Sequence, residues 1–180
     1  MQVQKVLFSA KECQDILSYF NDWVESKIYT HLDKPAVPKP KFRKSYHSVE
    51  SFDSSSFIYN RYKDFLEEND ILLTAKEIKL MAIRYKKGDY LKRHNDVHPV
   101  YKRRYAVISQ LSDDSFYSGG DFLFFDSNDT KVYFNRKIGN STFFAVNTDH
   151  QVTEVTDGIR YSLIFFLCEG EFISKKQTLI

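Results

Sequence analysis

The sequence predicts a mainly β fold with helices at its N-terminal end. Three observations point there. Hydrophobic spacing changes from intervals of three and four to short alternating runs near Glu77. Sixteen Phe and 12 Tyr stand against 6 Gly and 4 Pro, a balance that favours packed strands over flexible linkers. A hydrophobic content of 42% over 180 residues is enough for one core. One domain over 1–180 is expected, with helical support and loop in 1–76, the core in 77–169 and a tail in 170–180.

The elements follow in order. Ser9 and Glu12 have capping-box spacing, and Cys13, Ile16, Leu17, Phe20, Val24 and Ile28 recur at helical intervals after them. A first amphipathic helix is therefore expected as far as Ile28. Asp33 to Ser48 holds Pro35, Pro38 and Pro40 among many basic residues and reads as a loop, a candidate lid. Ser54 to Glu68 is expected to be a second helix through Ile58, Tyr59, Tyr62, Phe65 and Leu66, with Asn69 as its left-handed stop. Eight β-rich runs come next: Ile78–Tyr85, Tyr90–Val97, Arg104–Leu111, Gly120–Asp126, Thr130–Arg136, Ser141–Val146, His150–Val155 and Ile159–Cys168. Eight strands at this spacing suggest a jelly roll with one sheet covered by the helices and the other's inner face lining a pocket.

Charge and cysteine content narrow the function classes. Twenty-six Lys and Arg against 24 Asp and Glu give a net charge of +2, which offers no general phosphate-binding surface. Cys13 and Cys168 are far apart and each lies in an apolar stretch, as buried thiols in a reducing, cytoplasmic setting would. No long apolar run marks a membrane span or an export signal.

His94 and Asp96 form an H-x-D step, and alternate strand residues project from one face, so the imidazole and carboxylate can share a metal. Alone this pair is a common accident, and His94 could simply bond Asp96. His150 adds a second histidine in a matching strand context, and ten residues later Arg160 sits on the strongly apolar run IRYSLIFF. A buried guanidinium needs paired oxygens, most simply a ligand carboxylate, although a buried salt bridge or an exposed strand end would also serve. Two imidazoles and one carboxylate make the facial triad associated with non-haem Fe(II). His98, two residues beyond Asp96, keeps a zinc site open as a rival.

The segments RYKKGDYLKRHND, GGDFLFF and DHQVTEVTDGIRYSL resemble the prolyl 4-hydroxylase-like group of the Fe(II)/2-oxoglutarate-dependent oxygenase superfamily, across about Ile78 to Glu169. The resemblance implies a double-stranded β-helix, cupin-like, with iron on His94, Asp96 and His150. It also implies Arg160 on the distal carboxylate of 2-oxoglutarate, Tyr85 before its Gly88 turn reaching the same oxoacid, and Gln110 at a further oxoacid-binding position. Ser162 shares a strand face with Arg160 and is a further candidate. Gly119 and Gly120 match the family's Gly-Gly, a turn needing positive φ. The cofactors implied are Fe(II), the co-substrate 2-oxoglutarate and O2, with ascorbate as an optional reductant. The chemistry implied is decarboxylation of 2-oxoglutarate to succinate coupled to hydroxylation of a substrate C–H bond.

The substrate stays open at this point. A peptide or protein proline comes first, with basic loop residues Lys102, Arg103 and Arg104 able to meet an acidic chain. Arg103 and Phe166 are the candidate substrate contacts. A free amino acid or small metabolite is the alternative, nucleic-acid bases come last, and a non-catalytic cupin-like metal-binding module is a rival of a different class. The loop Val97–Arg103 is a second candidate lid. No oligomeric state is assigned.

Overall fold

Helical spacing near the N-terminus and period-two alternation after it resolve into two helices packed on a pair of antiparallel sheets. The protein is described here by a computed structural model covering residues 3–27, 41–98 and 100–174. In chain order the elements are β1 (Val3–Val6), α1 (Ala10–Ser18), β2 (Val24–Glu25), β3 (Arg43–Lys44), β4 (Tyr46–Asp53), α2 (Phe57–Glu68), β5 (Ile71–Leu73) and β6 (Glu77–Lys86). They continue with β7 (Tyr90–His94), β8 (Arg103–Gln110), β9 (Tyr117–Gly119), β10 (Phe122–Phe125), β11 (Lys131–Tyr133), β12 (Asn140–Ala145), β13 (His150–Val152), β14 (Val155–Cys168) and β15 (Phe172–Ser174).

The major sheet runs β1-β12-β8-β14-β6-β4-β2, with β9 joined to β14, and the minor sheet runs β11-β10-β13-β7-β3. All eight expected runs are strands within these two sheets, and β5 pairs with β15 in a small third sheet. Alternation splits the core in two. Leu163, Phe165 and Leu167 of β14 pack with Cys13, Ile16, Tyr62, Phe65 and Leu66 of the helices, on the outer face of the major sheet. Ile164 turns inward with Ile83, Ala106, Ile108 and Phe144, against Leu91, Phe122, Phe124 and Val152 of the minor sheet. A period of two on one strand thus feeds both layers.

The helix starts follow local chemistry. Ser9 caps α1 in a reciprocal box with Glu12, and Ser56 caps α2. Such caps satisfy otherwise orphaned N–H groups and stabilise a helix by about 1 kcal/mol. Between helix and sheet, Tyr62 Oη lies 2.9 Å from Ser109 Oγ, which lies 2.6 Å from Ser141 Oγ. These buried hydroxyls satisfy one another, so the core tolerates them.

Four expectations are corrected. The first helix ends at Ser18, not Ile28: Tyr19 and Phe20 bond back to Ile16 and Leu17 as a tightened last turn, and Val24–Glu25 pair with β4 instead. Ile28 and the prolines Pro35, Pro38 and Pro40 lie outside the described residues. The end of the expected loop is strand, because Arg43–Lys44 pair with β7 and Tyr46–Ser48 open β4 along β6. The second helix begins at Phe57, and Asp70 rather than Asn69 takes positive φ after it (62°). The run from Tyr90 stops at His94, so His94 is the last strand residue and Asp96 lies beyond it.

No helix among the described residues is long and apolar enough to cross a membrane.

Candidate active site

His94 closes β7 and His150 opens β13, and the two residues are register partners across the minor sheet. Cross-strand pairing, which sequence spacing alone does not dictate, brings their rings to 4.3 Å between centroids. Asp96 joins them by a different route from the expected strand alternation. Its backbone N–H donates to Val146 O at 2.8 Å, which folds the chain after β7 back over the end of β12. One ligand atom from each of the three residues lies within 4.8 Å of the others.

The ring orientations of this cluster are fixed by hydrogen bonds. His94 Nδ1 donates to Lys92 O at 2.9 Å, and His150 Nδ1 donates to Thr148 O at 2.8 Å. Rings so held turn their Nε2 atoms inward. Those nitrogens lie 3.6 Å from Asp96 Oδ1 and 3.3 Å from Asp96 Oδ2. Oδ2 is buried with no other hydrogen-bond partner. Burial pushes the Asp96 carboxyl up, but the facing His150 and His94 outweigh it and hold it well below the ordinary carboxylate range. Two imidazole nitrogens and one carboxylate converging at one buried point suit a divalent transition metal. The residues fit an iron centre.

The triad lines one end of a cavity of about 550 Å³ between the sheets. Arg160, Ser162, Ile164 and Phe166 enter it from β14, and Met81, Ile83 and Tyr85 from β6. Arg160 is only 2% exposed, and no carboxylate pairs with it among the described residues. Its Nη1 donates to Ser162 Oγ at 3.4 Å, and its guanidinium carbon sits 5.6 Å from the centre of the Tyr85 ring. Tyr85 and Arg160 are register partners. Burial raises the Tyr85 hydroxyl pKa, with Arg43 and Arg160 opposing, so Tyr85 is a neutral donor. A buried, carboxylate-free guanidinium beside two hydroxyls has the chemistry to receive an anion.

Gly120, at φ 63°, shapes this receptor as well as the turn. A Cβ there would meet Val155 Cγ2 at 2.8 Å and Arg160 Cδ at 3.1 Å, so the glycine makes room for the arginine stem. Gly88 at φ 81° turns the chain after Tyr85 so that its N–H reaches Val155 O at 2.8 Å, tying β6 to the start of β14.

The remaining expected residues are placed as follows. Gln110 projects from the same sheet face as Ser162, its register partner, but its amide donates to Tyr117 Oη (3.0 Å) and Ser112 O (3.2 Å), and it does not line the cavity. Phe166 lines the cavity mouth with Arg103 stacked on its ring at 3.7 Å. His98 also lines the cavity but is not gathered with His94, Asp96 and His150. Its Nδ1 accepts from Val100 and Tyr101 N–H, which holds the ring to its own loop. Lys102 and Arg104 pair with Glu169 outside the cavity.

Residues not foreseen from sequence also enter the cavity: Arg43 and His47, with Glu25, Ser26 and Lys27 near them. Arg43 and His47 come from the region read as loop, and Glu25, Ser26 and Lys27 from the stretch read as the first helix; the local signal was a weak alternation along Tyr46–Asp53 that buries Ser48 and Phe52 on one face and turns His47 to the other. A further support lies beside the cluster. Arg93, beside His94, pairs with Asp149, beside His150, at 2.9 Å, and also with Asp129, bracing the two ligand strands.

A double-stranded β-helix whose inner cavity holds a two-histidine, one-carboxylate cluster and a buried arginine defines the class of non-haem iron oxygenase folds. Residues 80–168 match the 2OG-Fe(II) oxygenase superfamily, and the chain belongs to it. Its cofactors are those of the superfamily: Fe(II), 2-oxoglutarate and O2.

Solved structures agree on the fold. A 2OG-Fe(II) oxygenase family oxidoreductase from Burkholderia pseudomallei superposes with TM-score 0.69 at 16% identity, covering 97% of this chain and 88% of that one. A viral collagen prolyl hydroxylase from Paramecium bursaria Chlorella virus-1, solved with 2OG, gives TM-score 0.61 at 18% identity over 92% and 94% of the two chains. A Trichoplax adhaerens prolyl hydroxylase, solved with a hypoxia inducible factor peptide, gives 0.69 at 12% identity over 100% and 87%. A search of curated proteins returned no match.

Proposed function

We propose that this chain is an Fe(II)- and 2-oxoglutarate-dependent hydroxylase of the prolyl 4-hydroxylase type, acting on a peptide or protein. The observation that carries the reading is the pairing, in one cavity, of the converging His94, Asp96 and His150 cluster with the carboxylate-free Arg160. Likeness to peptide-acting prolyl hydroxylases supports the substrate class. A free amino acid is the second reading. The helices before residue 77 share one core with the major sheet, which supports one oxygenase unit over 1–180. The free thiols of Cys13 and Cys168 suit a cytoplasmic setting.

When bound, iron supplies the redox chemistry that couples 2-oxoglutarate and O2 to C–H oxidation, giving succinate, CO2 and the hydroxylated product. The protein's own part is placement. His94, Asp96 and His150 would hold the metal through Nε2, Oδ and Nε2, with both rings oriented by carbonyls at Nδ1. Arg160 would take the far carboxylate of the oxoacid, with Ser162 and Tyr85 donating beside it. Gln110 would act one step back, by holding Tyr117. The apolar walls from Ile83, Ile108, Ile164 and Phe122 exclude water from the reacting centre. Phe166 and Arg103 at the mouth would meet the substrate, and the Val97–Arg103 loop would cover it.

The test is succinate release from 2-oxoglutarate by the Fe(II)-loaded protein, screened against proline-containing peptides and free amino acids. Release that depends on iron and oxygen and rises with a peptide supports the proposal. Absence of both succinate and the visible charge-transfer band of an Fe(II)–oxoacid complex would sink it.

A further inference from the structure

The cavity holds a second guanidinium that the iron and oxoacid assignments leave unused. Arg43, on β3, is the register partner of Leu91 and so projects from the same face as that cavity-lining residue. Its Nε donates to Ser45 Oγ at 2.8 Å, which fixes the orientation of the group. Its Nη2 is buried with no hydrogen-bond partner. A buried N–H of a charged group without an acceptor is costly, and a site that tolerates one has room for an anion to fill.

The surroundings agree in sign. Lys27, Arg43 and Arg103 line the cavity as cations, and apart from the ligand Asp96 the acidic residue among the described lining is Glu25. Burial, and then the nearby charge of Arg43, lowers the His47 pKa, so this neighbour is neutral and leaves the positive field to Arg43. A count of carboxylates separates this position from the oxoacid site. 2-Oxoglutarate has two carboxylates, one for the metal and one for Arg160. The cation at Arg43 is surplus to both.

We propose that Arg43 anchors a carboxylate of the substrate that is hydroxylated. The inference rests on the oxygenase reading and narrows its substrate class to acidic peptides or to amino acids with a free α-carboxylate. The anchor enters from the minor-sheet edge, where β3 borders the cavity. Arg103 and Phe166 enter from β8 and the far half of β14.

The test compares matched pairs of probes on the anaerobic protein loaded with Fe(II) and 2-oxoglutarate, with binding read by calorimetry and by the shift of the charge-transfer band. One arm uses blocked prolyl tripeptides with Glu or Gln beside the proline, and the other uses free proline against prolinamide. In wild type the acid of at least one pair should bind about tenfold tighter or more, as a charge-assisted contact implies. Arg43→Gln should bring that ratio to within about twofold of unity, and Arg43→Lys should retain part of it.

The arm that responds tells side-chain from α-carboxylate recognition. No acid preference in either arm overturns the proposal, and so does a preference that survives Arg43→Gln. A loss of 2-oxoglutarate affinity in Arg43→Gln with the probe preference intact would make Arg43 an oxoacid anchor and also overturn it. Failure of the oxygenase reading is visible separately, as wild-type protein with no charge-transfer band and no succinate. The acid–amide pairs can still be compared on that protein without metal.

Discussion

Replacing Arg160 with Met should raise the stability of the metal-free, oxoacid-free protein while abolishing its stabilisation by 2-oxoglutarate. The guanidinium is 2% exposed, bonds Ser162 Oγ at 3.4 Å and has no carboxylate partner among the described residues. In the ligand-free state it is therefore a buried charge without its counter-charge. Replacing buried ionic groups with apolar residues of similar volume is often neutral or stabilising by about 1–4 kcal/mol. For a chain of this size, each kcal/mol moves Tm by about 2–4 °C. Methionine suits the cavity because it fills the volume of the arginine stem beside Gly120.

The oxoacid side has the opposite sign. Removing one partner of a buried, hydrogen-bonded charge pair costs about 2–5 kcal/mol, which weakens 2-oxoglutarate binding by about 30-fold to several thousandfold. Thermal melts with and without the oxoacid, in the presence of a redox-inert divalent metal, read both effects in one assay. A drop in ligand-free Tm of several degrees, with the 2-oxoglutarate-induced shift preserved, would refute the reasoning. Arg160 would then be a structural ion-pair member and not an anion receptor.

Other expectations are sharper in one direction. Asp96→Ala should lose Fe(II) first, with metal content by elemental analysis falling to background, while Arg160→Met keeps its metal. Gly139→Ala should destabilise by more than about 3 kcal/mol, because the new Cβ would sit 1.7 Å from Phe8 O at φ 78°. Gly170→Ala meets nothing within 4 Å and should cost only the left-handed backbone strain of about 1 kcal/mol. Denaturant melts of the two variants separate these outcomes.

Burial pushes the Cys13 thiol up to about 12, and Cys168 is raised as well, chiefly by burial. Because the folded pKa of Cys13 lies above its unfolded value, its effect on stability is constant below about pH 9. Stability then declines from pH 9 towards 12 as the unfolded thiol ionises. A thiol reagent at pH 8 should leave Cys13 unmodified until the protein unfolds. Prompt labelling of both thiols in the folded protein would contradict this.

Strand content was legible in the sequence because most of the relevant strands carry their own signal. Ile159–Cys168 alternates between helix-side Leu163, Phe165 and Leu167 and cavity-side Arg160, Ile164 and Phe166. The elements that were misread draw their conformation from distant partners. Arg43–Lys44 and Val24–Glu25 are two-residue edge strands, formed by pairing with β7 and β4 rather than by local propensity. Apolar residues at helical intervals up to Ile28 outran the helix, since Phe20 is buried through a turn and Val24 is exposed on an edge strand.

The sequence by itself determined the jelly-roll class and pointed to the candidate ligand types and the arginine suited to an anion, because each follows from residue chemistry and short-range spacing. Tertiary structure decided which of these groups meet. His94 faces His150 through cross-strand register, Asp96 turns back through its bond to Val146 O, and His98 turns its Nδ1 to its own loop. It also brought Arg43 into the cavity from a segment that carried no strand signal. The physical reason is the same throughout: a side chain's chemistry is local, but the pairing that aims it is set by hydrogen bonds between residues far apart in the chain.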